Sequence, residues 1–131
     1  MSSHKRTVDA YVDGFRASDH EAILVLLSDE VVWVIHGHGR TEGKEAFDGE
    51  IENDAFVGSP KLTVERLIEE GDTVVAPHLG ECRLRGGDAF RFAGVTVFSF
   101  DGELISRVES YIVPSTGSGV RWTLPGPSLC P

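Results

Sequence analysis

This chain of 131 residues is short of cysteine, methionine and basic charge, and it has no long apolar run. Each shortage removes a class of function. Cys82 and Cys130 are its two cysteines, too far apart for a metal-binding or dithiol spacing. With no apolar segment behind the polar start Met1-Ser2-Ser3-His4-Lys5-Arg6, no export signal is expected. A Cys82–Cys130 disulfide stays open; read as unpaired, the two cysteines together with no export signal predict a reducing, cytoplasmic setting. Twelve Lys and Arg against 21 Asp and Glu give a formal net charge of -9. That balance argues against nucleic acid, which requires a clustered basic surface, and against anionic membranes. No run approaches the roughly 20 apolar residues of a membrane span. Gly37-His38-Gly39 and Gly86-Gly87 are not phosphate loops, because no Lys-Ser/Thr follows either. No serine or cysteine nucleophile motif occurs.

What is present fits one domain with a real core, since 40% of the residues are hydrophobic. Val8, Tyr11, Val12 and Phe15 recur at helical spacing and predict a helix over about Lys5 to Ala17. Gly14 weakens it, in return for close packing. Ser18-Asp19-His20-Glu21 has the form of a capping box and predicts a second helix with Ile23, Leu26 and Leu27 inward. Val31 to Ile35 reads as a strand, followed by a turn from His36 to Thr41. A third helix spans about Lys44 to Ala55, with Phe47 and Ile51 buried and Glu45, Asp48 and Glu52 on a solvated face.

Beyond Gly58-Ser59-Pro60 the period becomes two. Strands are predicted over Leu62–Glu69, Thr73–Leu84, Ala89–Phe100 and Leu104–Val113, with Pro77 marking a bulge or edge. Pro114 to Pro131 reads as a Pro/Gly/Ser-rich tail in which Val120, Trp122 and Leu124 alternate, suited to docking on a neighbouring surface. Residues 1–113 are the folded domain on this reading and 114–131 the tail. Helices first and strands afterward indicate α+β, with helices on one face of a curled, mostly antiparallel sheet that encloses a pocket.

Several segments in this order carry a family resemblance. They are Tyr11-Val12-Asp13-Gly14-Phe15-Arg16-Ala17-Ser18-Asp19, Leu26-Leu27-Ser28-Asp29-Glu30-Val31-Val32-Trp33, Gly43-Lys44-Glu45-Ala46-Phe47, and Phe98-Ser99-Phe100-Asp101-Gly102-Glu103-Leu104-Ile105 with Glu109-Ser110-Tyr111 after it. Over about Thr7 to Val113 the chain resembles the nuclear transport factor 2-like superfamily, in its SnoaL-like and ketosteroid-isomerase-like branch. The resemblance implies a cone-shaped half-barrel, a strongly curved sheet roofed by three N-terminal helices. It also implies an apolar pocket and a homodimer formed through the sheet. Members of the family include isomerases, polyketide cyclases, epoxide hydrolases, dehydratases and non-catalytic binding modules. One fold therefore leaves the reaction open.

The candidate chemistry follows from both sources. Tyr11 falls where ketosteroid isomerases place an oxyanion-binding tyrosine; it also fits the apolar stripe of its helix. The isomerase base would fall at Ile35, or at His36 after a one-residue shift. The isomerase's protonated acid would fall near Thr96, so both family carboxylates are missing. That acid is a known example of a carboxyl kept neutral in an oxyanion hole.

His36 and His38 have the side chain best suited to proton transfer near neutrality. With His78 they would supply three ring nitrogens. Neither spacing nor a carboxylate partner is specific, so no metal and no cofactor is expected. Arg107, Glu109 and Tyr111 share a strand face. If that face lines the pocket, Glu109 is a buried acid or base. If it meets a partner, Arg107 and Glu109 form an ion pair. Trp33, Phe90, Phe92, Phe98 and Phe100 read as pocket wall or core.

The expected catalytic set is Tyr11, His36 and Glu109. The expected ligand-binding set is Trp33, His38, His78, Phe92, Thr96, Phe98 and Tyr111. The function expected is a small-molecule pocket, either a cofactor-independent isomerase, cyclase or lyase on a small apolar carbonyl compound, or a dimeric binder of a hydrophobic ligand.

Overall fold

The computed structural model describes residues 2–52 and 54–115. Helix α1 (Ser3–Ala17) begins at Ser2, whose hydroxyl accepts from the Lys5 amide, and ends at Ser18 in the left-handed region. Ser18 is therefore the stop of α1. The start of α2 (His20–Leu24) is made by Asp19, whose carboxylate accepts from the Ala22 amide. Gly14 lets the second helix approach the first: a Cβ there would sit 2.6 Å from Ile23 Cγ1.

Helix α2 is shorter than expected, because the chain turns extended at Leu27. Strand β1 runs Leu27–Ile35, and β2 (Gly39–Glu42) folds back along it. Helix α3 (Lys44–Glu50) buries Phe47. Then come β3 (Phe56–Val64), β4 (Ile68–Glu70), β5 (Thr73–Leu84), β6 (Ala89–Asp101) and β7 (Leu104–Pro114). Gly58-Ser59-Pro60 lies inside β3, where the pairing with β5 shifts register between Val57 and Lys61. A bulge with Gly58 at φ +75 absorbs these residues, which in sequence read as a loop.

The seven strands form one sheet in the order β2-β1-β7-β6-β5-β3, with β4 also on β5. All pairs are antiparallel except β1 with β7, so the curved sheet is mixed. Pro77 is tolerated in interior strand β5 because of its side. Its carbonyl accepts from Glu65 N, so its missing N–H falls where β3 has ended and β4 not begun.

Two cross-strand rows place a ring over a glycine. Phe92 covers Gly80, and His78 lies against Gly94. A Cβ on Gly80 would meet the Phe92 ring at 2.1 Å. These close approaches draw β5 and β6 together on the concave face. The core sits between that face and the helices, around Tyr11, Phe15, Trp33, Phe47 and Phe98. Cys82 is buried and disulfide-bonded, which removes the premise of two unpaired cysteines. The segment 116–131, with the expected docking tail, lies outside the described residues. Among the described residues no helix is long and apolar enough to cross a membrane.

Candidate functional site

Period two sorts the strands into a concave and a convex face. On the concave face, Ala76 and His78 of β5, Thr96 and Phe98 of β6, and Ser110 of β7 point toward α1. Tyr11 and Val12 of α1, with Leu62 and Val64 of β3, close a cavity over them. The space open to the centre of a water molecule is about 30 Å³, and the whole void, mouth included, about 400 Å³.

The polar groups of this cavity form a chain. His78 Nε2 is 2.8 Å from Thr96 Oγ1, which is 3.0 Å from Ser110 Oγ. All three side chains are buried. Two further polar atoms, Tyr11 Oη and His78 Nδ1, are buried with no hydrogen-bond partner among the described residues. Burial pushes His78 down to about 4, because the imidazolium would lose its hydration. Burial likewise pushes the Tyr11 phenol far above its ordinary value. At neutral pH the cavity therefore holds a neutral imidazole and three hydroxyls, with no charge among them.

His36, Glu109 and Tyr111 occupy the opposite face. His36 Nε2 is 3.1 Å from Glu109 Oε2, and its ring stacks on Tyr111 at 4.4 Å. Arg107 Nε donates to Glu109 Oε1 at 3.0 Å. Burial alone would raise the Glu109 carboxyl, but the His36 and Arg107 hydrogen bonds outweigh it and hold the group below its usual value. Of the two readings of this strand face, the ion pair is the one the geometry holds. Glu109 is an ionised surface carboxylate, and Tyr11, His36 and Glu109 do not converge on one cavity.

The expected ligand-binding residues divide in the same way. His78, Thr96 and Phe98 line the cavity beside Tyr11. Phe92 stands behind it, its ring edge-on to His78 at 5.9 Å. Trp33 lies deeper in the core, stacked on Phe47 at 4.4 Å. His38 sits in the turn after β1, its amide bonded to Ile35 O. Tyr111 is on the convex face, 49% exposed.

Ser110 was not singled out from sequence, nor were Val12, Leu62, Val64 and Ala76. The signal for Ser110 was available. It is the polar member of the alternate set Val108, Ser110, Ile112, flanked by two apolar residues of the same parity. Asp48 of α3 and Glu52 just beyond it face solvent, and His20 bridges them there at 2.6 and 3.1 Å. Among the described residues no group of three or more His, Cys, Asp or Glu side chains is arranged to hold a metal ion.

The helix-roofed, curved mixed sheet is a fold of the ketosteroid-isomerase-like type. The chain belongs to the SnoaL-like domain family, matched over residues 8–108. Solved structures agree in fold. The chain is similar to an epoxide hydrolase of the LEH-like kind from Mycobacterium tuberculosis, at 19% identity and TM-score 0.76, covering 85% of this chain and 83% of that one. It is similar to a ketosteroid-isomerase-like protein from Catenulispora acidiphila, solved with trimethylamine, at 20% identity and TM-score 0.73, covering 80% and 83%. It is also similar to Rv0760c of Mycobacterium tuberculosis, solved with estradiol-17beta-hemisuccinate, at 20% identity and TM-score 0.74, covering 84% and 93%. A search of curated protein sequences returned no match.

Proposed function

We propose that this protein binds a small, mostly apolar molecule in the concave cavity, with one oxygen of that molecule held by Tyr11 and His78. The observation that carries this reading is the pair of buried, unpartnered polar atoms, Tyr11 Oη and His78 Nδ1, on residues that line one apolar cavity. A buried polar atom left unpaired costs about 1–3 kcal/mol, which a ligand oxygen would recover. The fold neighbour solved with a steroid ester supports an apolar ligand class. An acid–base version of the reading, as isomerase, cyclase or lyase, keeps Tyr11 as the hydrogen-bond donor. The titratable group beside it on the concave face is His78, while His36 and Glu109 lie across the sheet.

The test is a methyl NMR titration with cyclohexanone. Signals of Val12, Leu62, Val64 and Ala76 should move together, and Tyr11→Phe should weaken binding about tenfold, the loss of one hydrogen bond of about 1.4 kcal/mol. Shifts confined to the convex face would sink the reading.

The convex face supports a second copy of this chain as partner. Its cross-strand rows Leu79–Ala93–Val113 and Pro77–Val95–Tyr111 form a contiguous apolar surface. Leu79 is 47% and Val113 65% exposed, an arrangement that marks an interaction surface.

A further inference from the structure

The chain of His78, Thr96 and Ser110 has a property that no one of its members has alone. It contains three hydrogens, one on each hydroxyl and one on the neutral imidazole, and only two links. One hydrogen is therefore left over, and two arrangements that run in a single direction put it at opposite ends. With both hydroxyls donating toward the ring, Ser110 gives to Thr96, Thr96 gives to Nε2, and His78 keeps its hydrogen on Nδ1. With the direction reversed, Nε2–H gives to Thr96, Thr96 gives to Ser110, and Nδ1 presents a lone pair.

We propose that this chain is an adjustable end to the pocket, whose direction follows the ligand: Nδ1 donates to a carbonyl oxygen and accepts from a hydroxyl. The proposal rests on the reading of the cavity as a ligand site. Tyr11 completes the arrangement. Its O–H, also unpartnered, donates to the ligand oxygen in both cases. A ketone then receives two donors on its two lone pairs. An alcohol receives one donor from Tyr11 and gives its own hydrogen to His78. The ligand class is thus an apolar molecule with one oxygen, in its carbonyl or its hydroxyl form. Neither form requires a charge in the cavity. A fixed donor such as an asparagine amide nitrogen would discriminate between them, because one form would leave a buried atom unpaired.

The test is ¹⁵N NMR of His78 in the full chain, assigned by comparison with His78→Gln, during titration with cyclohexanone and separately with cyclohexanol. Cavity methyl shifts report binding in the same samples. The expected result is that both probes bind, and that the protonated and unprotonated nitrogen signals of His78 trade places between them. Binding of both with one unchanged His78 tautomer overturns this proposal and leaves the pocket reading standing. No methyl shift with either probe overturns both.

Discussion

Tyr11 is 3% exposed and edge-on to Phe98 at 5.0 Å, yet its hydroxyl meets no described partner. Tyr11→Phe keeps that packing and removes the orphan. Without ligand, the variant should be as stable as the parent or about 1 kcal/mol more stable in urea unfolding, although the substitution weakens binding. A loss of stability would mean that the hydroxyl is satisfied in the apo protein.

His78 makes a pH prediction with a definite sign. Its folded value of about 4 lies below the ordinary 6.5, so between these pH values the unfolded chain binds more protons. Its neutral state thus favours folding above about pH 6.5. That advantage is lost as pH falls toward 4, by about 3 kcal/mol in total. His78→Gln should flatten this part of the stability profile, read from denaturant midpoints at pH 4.5 and 7. His20 acts in the opposite sense. The Asp48 hydrogen bond, with Glu52 assisting, raises it. Its contribution is present below the ordinary value and lost as pH rises through the folded one. Between pH 7 and 4.5 it works against the acid-side loss from His78, which the comparison with His78→Gln isolates.

At the scale of elements, the strands β5 to β7 were legible because alternation, Gly71-Asp72 and Asp101-Gly102 mark their limits. The boundaries that moved share one cause. Leu26 and Leu27 suit either a helix or a strand, and β7 decided for strand at Leu27 through its pairing with Ile105. The β3 bulge likewise depends on β5, a partner distant in sequence, whereas β2 is a local hairpin on β1, Ile35 paired with Gly39, whose residues read in sequence as a turn. The glycine rows give a test at this scale. Gly80→Ala would place a methyl inside the van der Waals envelope of buried Phe92. It should destabilise by about 1–3 kcal/mol in thermal or urea unfolding. Gly94→Ala meets Tyr111 O at 2.7 Å and His78 Cε1 at 3.0 Å. It should shift the His78 ring signals as well as lower stability, because part of its clash is with that ring. Unchanged His78 signals in Gly94→Ala would contradict the packing described for this row.

At the scale of the molecule, the convex apolar rows predict self-association. Leu79→Lys combined with Val113→Lys puts two charges into the patch while leaving the concave face untouched. By sedimentation, the parent should run as a dimer and the double variant as a monomer, with unchanged circular dichroism. A monomeric parent would refute the inference.

Sequence by itself determined the class of fold, the order of most elements, and which residues of each strand share a side. These follow from local periodicity. It could not determine which side of β7 is concave. Val75, Val95, Val97, Tyr111 and Val113 make the convex face apolar too, so hydrophobicity does not separate the two. Only the packing of α1 on the face that carries Phe98, Thr96, His78 and Ser110, with the Tyr11 ring edge-on to Phe98, chose the face. That choice placed Tyr11 with His78, and His36 with Glu109, on opposite sides of one sheet.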